Sequence, residues 1–462
     1  MSLSRADTRI SKSLFQRKRG SMSAAAKIQA TPVSTPSWVE RALQAATASH
    51  STLASASLAK LITEARGVWG KLSFPSQKLE DWKYTNPDSI VQGPYEFAMG
   101  GDASSVAREL LERARVSNLG ACCEVVFVDG SYCAELSRIE PATGVSVTRA
   151  SETTSSIGSL GLHKEESFAA LATALFSDCV SITVKKGSLV AAPIHVVHIT
   201  TSISAGRVST PRLRIDAEES SQVTVVESHV GAQGTRYLSL PVGEVVAAQS
   251  AVVDYYRIQL ESEAASHVSG LSVEQHRDAV VRAHIFSFGG ALVRNNAHMV
   301  LNGAGAQSVI NGLSLLSDSQ HVDNTTTIHH CEPNTESREH FKGVYAKESR
   351  GVFSGTIVVD KIAQKTNAFQ SNQALLLSSN ASIDSRPQLK IWADDVKCTH
   401  GATVGQLDAD AMFYLQSRGI SRQDARAFLV HAFASEVLTS VQCGPVKEFV
   451  EAVVSERLAS QV

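Results

Sequence analysis

The sequence predicts a mainly β fold, a right-handed parallel β-helix core flanked by N-terminal and C-terminal helical domains. Three observations carry this. Over 180–407, β-branched residues alternate with small polar ones, as in Ser181-Ile182-Thr183-Val184 and Ile194-His195-Val196-Val197-His198-Ile199. A unit of strand, small polar corner and strand then recurs at uneven spacings of about 30 residues. Finally, charged residues are only 19% and aromatics 6% of the chain, against about 25% charged in ordinary soluble domains. A β-sandwich shares this pattern. The corners rarely carry the Asn-Gly or Asp-Gly of two-residue hairpins, which favours the β-helix.

The elements divide the chain into a tail over 1–36, a helical or mixed region over 37–179, the β core over 180–407 and a helical region over 408–462. In the tail, Arg5, Arg9, Lys12, Arg17, Lys18, Arg19 and Lys27 face a single acid, Asp7, among many serines and without an apolar stretch. That is the composition of an organellar transit segment or of a disordered tail, with Met22 as an alternative start. Helical spacing follows over 37–70, with Trp38, Leu43, Leu53, Leu58, Leu61 and Ile62. A Pro-led segment, Phe74-Pro75 to Thr85, carries Trp82 and Tyr84. A helix is expected over 104–116, a strand over 122–129 closed by Asp129-Gly130, and a helix over 164–176.

Within the core, corners are expected at Glu218–Ser221, Gln249-Ser250, Asn302–Ala306, Lys347–Arg350 and Ser378–Asn380. Beyond it, Asp408–Gln416 reads as a helix stopped near Gly419. Ser421 caps the next helix, with Asp424 three residues on, and its apolar stripe is Ala425, Phe428, Leu429, Ala432, Phe433 and Val437. Gly444-Pro445 starts a last helix carrying Val446, Phe449, Val450, Val453 and Leu458.

Length and charge exclude several functions. The chain has 462 residues and a net charge of −2, from 43 Lys+Arg and 45 Asp+Glu. This argues against a basic nucleic-acid clamp, and no apolar run approaches the ~20 residues of a membrane span. The seven cysteines, Cys122, Cys123, Cys133, Cys179, Cys331, Cys398 and Cys443, are odd in number and form no Cys-x-x-Cys pair. A disulfide framework, a zinc ribbon and a self-contained ferredoxin-type site are therefore disfavoured. There is no phosphate-binding loop, no dinucleotide fingerprint and no nucleophile elbow, so no bound nucleotide is expected.

The densest polar run is Ala393-Asp394-Asp395-Val396-Lys397-Cys398-Thr399-His400-Gly401-Ala402-Thr403. On a strand, residues two apart share a face, so Cys398 and His400 present a thiol and an imidazole side by side. Both are metal ligands, and a thiolate also carries sulfur. Two ligands leave a site incomplete, and a buried Cys beside a hydrogen-bonded His is the plain alternative. A second cluster, His329-His330-Cys331 with His321 and His340 nearby, reads as a metal or sulfur site or as histidines beside the Glu332-Pro333-Asn334 turn. His195 and His198 read as satisfied histidines of an apolar strand. Asp394, Asp395 and Lys397 also permit an alternative function, a polysaccharide-active β-helix enzyme of the lyase type.

The run from Arg350 to Ile420 resembles the SufB/SufD family of iron–sulfur cluster assembly subunits. The matching stretches are Phe353-Ser354-Gly355-Thr356-Ile357, Ala363-Gln364-Lys365-Thr366-Asn367-Ala368, Asn372 with Leu375-Leu376-Leu377-Ser378, the Cys398–His400 block, and Phe413-Tyr414-Leu415 with Ser417-Arg418-Gly419-Ile420. Upstream, Glu80-Asp81-Trp82-Lys83-Tyr84-Thr85 resembles the family's N-terminal signature. The SufB branch typically carries a Cys-x-x-Cys-x-x-x-Cys motif, absent here, and a Glu where this sequence has Gly401. The features therefore look like the SufD branch.

The resemblance implies a β-helix between helical ends, and so settles the sandwich alternative. It implies a non-catalytic scaffold that pairs with SufB through the β-helix and with the ATPase SufC through the C-terminal helices. The stripe around Phe428 and Phe433 then packs within the helical region or faces SufC. The resemblance also implies that His400, with Cys398 beside it, holds metal as part of a transient iron–sulfur cluster shared with SufB. The expected compartment is the cytoplasm, or the plastid stroma if 1–31 is a transit segment.

Overall fold

The computed structural model describes residues 36–50, 55–98, 100–140, 144–149 and 156–460. The basic segment 1–31 lies outside them. The β core is a parallel solenoid of about eight turns. Each turn gives one strand to a 12-stranded sheet and the next to an 11-stranded sheet, and from Ser266–Gln275 to Asn367–Leu376 each strand pairs with the strands two before and two after it. Leu292–Leu301 runs parallel to Ser266–Gln275 and to His321–His330. Glu336–Tyr345 pairs with Asn367–Leu376 residue for residue, from Glu336↔Asn367 to Tyr345↔Leu376. Several central strands reach 10 residues.

Unbroken register stacks like on like. Alternate residues of every strand point inward, where Val225, Val253, Ile285, Met299, Ile310, Ile328, Phe341 and Phe353 form one continuous core. Ladder hydrogen bonds and this narrow apolar interior hold the coils together, with a few ion pairs between coils such as Arg257–Glu227 and Arg294–Asp323.

The corners have their own ladder. Gly187, Ser220, Ser250, Asp278, Gly305, Asn334 and Lys365 all have positive φ, between 54° and 75°. They stack on one side of the solenoid, where the chain passes from the larger sheet to the smaller. Each amide donates to a carbonyl of the next coil's corner: Ser220 to Gln249 (2.9 Å), Ser250 to Arg277 (2.9 Å), Asp278 to Ala304 (3.0 Å), Asn334 to Gln364 (2.9 Å) and Lys365 to Asp395 (2.6 Å). Left-handed backbone is unfavourable for residues with a Cβ; here the repeated hydrogen bond holds even Lys365 in it.

Helices cover the N-terminal side. Ala56–Leu72 is capped by Ser55, whose hydroxyl accepts from the Leu58 amide, and Ser105–Ala114 is capped in the same way by Ser104. The strand Cys123–Val128 joins the smaller sheet parallel to Ile194–Thr200. The Glu80–Thr85 segment straps this region to the outer face of the larger sheet. Trp82 stacks on Phe168 at 5.2 Å and lies under the Arg294 guanidinium at 4.1 Å. Thr85 donates to Asp323, which also pairs with Arg294, and bonds His321 at 2.9 Å; Arg386 reaches back to the Glu80 carboxylate at 2.5 Å.

At the other end, Ala409–Ser417, Arg422–Leu438 and Gly444–Ser460 are helices, with Asp408 and Ser421 as caps of the first two. Val430, Ala434 and Leu438 pack with Val446 and Val450 over Tyr256, Phe286, Leu313 and Val344 of the smaller sheet. The buried stripe of Arg422–Leu438 thus differs from the expected one. Ala425 and Val437 are buried, but Phe428 is 67% exposed. The solenoid surface sets the buried face here, and the helix docks with its small and branched side.

Candidate functional site

Among the described residues, the solenoid ends in two strands that lack an outer neighbour. Ser382–Ile391 closes the larger sheet and Lys397–Gly405 the smaller. Along Lys397–Gly405 every residue but Cys398 is exposed. Trp392 and Val404 are 58% and 53% exposed. The backbone edges and inner side chains that the next coil would cover stand open here.

Cys398 and His400 both lie on this last strand. Register aligns Cys398 with Ala368 and His400 with Gln370, and Ala368 and Gln370 with Ser337 and Glu339. Parallel partners share a face, so Ser337–Ala368–Cys398 and Glu339–Gln370–His400 form neighbouring rows on the inner face. Ala368 and Gln370 are buried; one coil later His400 is exposed and Cys398 half-buried. Cys398 is a free thiol packed near Ile357, Val359 and Ala363. Burial pushes its thiol up, against a hydrogen bond with the Ala368 backbone. A metal or a cationic partner would reverse that and release a thiolate.

Sequence reasoning misses the polar row behind His400. Glu339 is wholly buried and is held by Thr326 Oγ1 at 2.5 Å and Gln370 Nε2 at 2.7 Å. Burial pushes its carboxyl up to about 7, the two hydrogen bonds opposing. Gln370 Oε1 is buried without a hydrogen-bond partner among the described residues. In sequence, Glu336-Ser337-Arg338-Glu339 looks like a solvated charge run. The usable signal is period-2 alternation, which puts Ser337, Glu339 and the core residue Phe341 on one face.

The second cluster splits. His330 turns inward, with Nδ1 on Thr335 at 2.8 Å and Nε2 on Ser337 at 2.9 Å, and burial pushes it down to about 3. His329 and Cys331 face the corner, where His329 Nε2 meets Asp360 at 3.0 Å. His321 bonds Thr85, away from this corner. His195 and His198 are buried, on Ser228 at 2.9 Å and Glu227 at 3.0 Å. His198, Glu227 and His229 are close enough to share an ion. However, Arg257 and Tyr255 already engage the Glu227 carboxylate, and this fully buried network reads as structural.

Comparison with known proteins identifies the family. A family model described as the SUF system FeS cluster assembly SufBD core domain matches residues 198–433, and one described as the SufBD protein N-terminal region matches 43–196. The iron–sulfur cluster assembly protein SufD of Escherichia coli is 31% identical over 390 residues, covering 84% of this chain and 90% of that protein. The SufBD family protein slr0076 of Synechocystis is 30% identical over 404 residues, or 82% and 86%. The chloroplastic protein ABCI7 of Arabidopsis thaliana is 35% identical over 233 residues, about half of each chain. Nothing supports the lyase reading of Asp394, Asp395 and Lys397. The chain belongs to the SufBD family of the SUF iron–sulfur cluster assembly system.

Proposed function

We propose that this chain is a non-enzymatic scaffold subunit whose open solenoid end meets SufB and presents His400 and Cys398 to a nascent iron–sulfur cluster held between the two subunits. The observation that carries this is the position of Cys398 and His400 on the uncovered last strand. Half a ligand set at an open edge is completed by a partner that brings the other half. Iron and sulfide are the cargo. Imidazole and thiolate suit iron, and a shared site can release the cluster when the subunits move.

SufC is the proposed second partner, on the C-terminal helices. Phe413, Tyr414 and Phe428 are 72%, 58% and 67% exposed there, and exposed aromatics of this size favour a protein partner. ATP hydrolysis belongs to SufC in this reading. Among the described residues no helix is long and apolar enough to cross a membrane. The compartment is read as the cytoplasm, or the plastid stroma where 1–31 acts as a transit segment; sequencing the N-terminus of the native protein decides between them.

The test is reconstitution with SufB and SufC. His400→Ala is expected to leave the complex intact on gel filtration and to lower its iron and sulfide content and cluster absorbance severalfold. Full cluster formation on an intact His400→Ala complex would sink the site assignment, and failure of SufB to co-purify with the wild-type chain would sink the scaffold reading.

A further inference from the structure

The corner beside the terminal coil brings three unlike metal ligands together. His329 Nε2, Cys331 Sγ and an Asp360 carboxylate oxygen all lie within 4.8 Å of one another. His329 Nε2 and Asp360 Oδ1 are 3.0 Å apart. Donors around a tetrahedral ion with bonds of about 2.0–2.3 Å stand roughly 3.3–3.8 Å apart, so side-chain rotation alone closes the site.

The backbone that carries them is fixed. The Cys331 amide donates to Leu301 at 3.1 Å, the Asp360 amide to His330 at 3.0 Å, and the Ala363 amide to Asp360 at 2.9 Å. His329 and Cys331 come from one coil and Asp360 from the next. Cys331 is buried, whereas the Asp360 side chain is 34% exposed, so an ion has a route in and keeps a position open to solvent.

We propose that His329, Cys331 and Asp360 bind one divalent transition-metal ion of the Fe²⁺, Co²⁺ or Zn²⁺ class. The donor set of one imidazole, one thiolate and one carboxylate selects such ions against Mg²⁺ and Ca²⁺, which take oxygen ligands. Two anionic ligands balance the ion's charge. Three protein ligands with an open position are the arrangement of a site that exchanges a ligand, not of a closed structural one. The Trp392 amide donates to Val359 at 3.0 Å, so the next corner lies one strand spacing, about 4.8 Å, beyond Asp360. That corner leads directly into Lys397–Gly405. The ion therefore sits beside the coil that carries Cys398 and His400. Its binding does not depend on the function proposed for them.

The experiment is a Co²⁺ titration of the reduced, metal-free full chain carrying Cys398→Ser, which removes the other thiol proposed to meet iron, followed by absorption. Thiolate-to-Co²⁺ charge transfer saturating at one equivalent is expected, displaced by Zn²⁺ and not by Mg²⁺. In that background Cys331→Ser should abolish the band, and His329→Gln and Asp360→Asn should weaken binding about tenfold or more. Asp360→Asn, at a part-exposed position, keeps the test valid if Cys331→Ser fails to fold. Absence of a thiolate band in the Cys398→Ser chain overturns the proposal, as does a band that survives the further Cys331→Ser substitution.

Discussion

Gln370 donates its side-chain N–H to the Glu339 carboxyl at 2.7 Å across two adjacent coils, with both side chains wholly buried. Among the described residues, the hydrogen-bond partners of Glu339 are Thr326 and Gln370, neither of them a cation.

Glu339 makes stability depend on pH. A glutamate ordinarily ionises at 4.5, and this one at about 7. Between those values the native state holds one more proton than the unfolded chain. The contribution is therefore full below pH 4.5 and is lost as pH rises through 7, by roughly 3 kcal/mol in all. Glu339→Gln should remove that decline. Urea midpoints of wild type and variant from pH 5 to 8 should converge at low pH and separate at high pH in favour of the variant. Parallel curves would show that Glu339 is ionised throughout.

His284 has the opposite sign. It is buried between Tyr256 and Phe286, both ring nitrogens lack partners among the described residues, and burial pushes it down from 6.5 to about 4. Its contribution is present above pH 6.5 and is lost as pH falls through 4. His284→Phe removes a cationic form and two unpartnered nitrogens. The variant should melt no lower than wild type at pH 7 and be stabilised at pH 5 by about 2 kcal/mol. A lower melting temperature at both pH values would mean that the larger ring does not fit.

Gly355 makes room for the row behind His400. A Cβ there would meet Gln370 Nε2 at 2.1 Å and Phe353 Cζ at 2.8 Å, whereas one at Gly401 meets nothing within 4 Å. Gly355→Ala should cost about 1–3 kcal/mol, and Gly401→Ala should be close to neutral, by thermal unfolding. Equal effects would contradict this packing.

Lys342 moors the C-terminal helices. Its ammonium is buried against the Phe433 ring at 4.2 Å and donates to the Phe433 carbonyl at 3.1 Å and to the Glu436 carboxylate. Lys342→Ala should weaken docking by about 2 kcal/mol and speed proteolysis within 408–460, with the solenoid left intact. Unchanged proteolysis would assign the docking to the apolar contacts of Val430, Ala434 and Leu438.

The residues make plain why part of this was legible. Corners at Glu218–Ser221, Gln249-Ser250 and Asn302–Ala306 are readable because small polar clusters interrupt β-branched runs. Arg277-Asp278, Pro333-Asn334 and Gln364-Lys365 turn the chain in the same way. Yet Arg, Gln and Lys carry no turn signal, because stacked hydrogen bonds impose the conformation against local preference. Cys398 and His400 are readable because two residues on one strand share a face. Glu339 and Asp360 are not, since only the parallel register, about 30 residues per coil, brings them beside Gln370 and His329. The outward turn of Phe428 depends on the shape of the surface under its helix, which no single helix encodes.

The corner ladder ends in a terminator. Lys365 donates to Asp395, but the Asp395 amide folds back onto Gln364 Oε1 at 2.8 Å. The amide a further coil would use is that of Val396, and its backbone is not left-handed, as suits a β-branched residue, so the repeating corner conformation stops at Lys365. Identical molecules therefore lack a continuous template for stacking end to end into filaments, while the strand edges beside that corner keep their free valences.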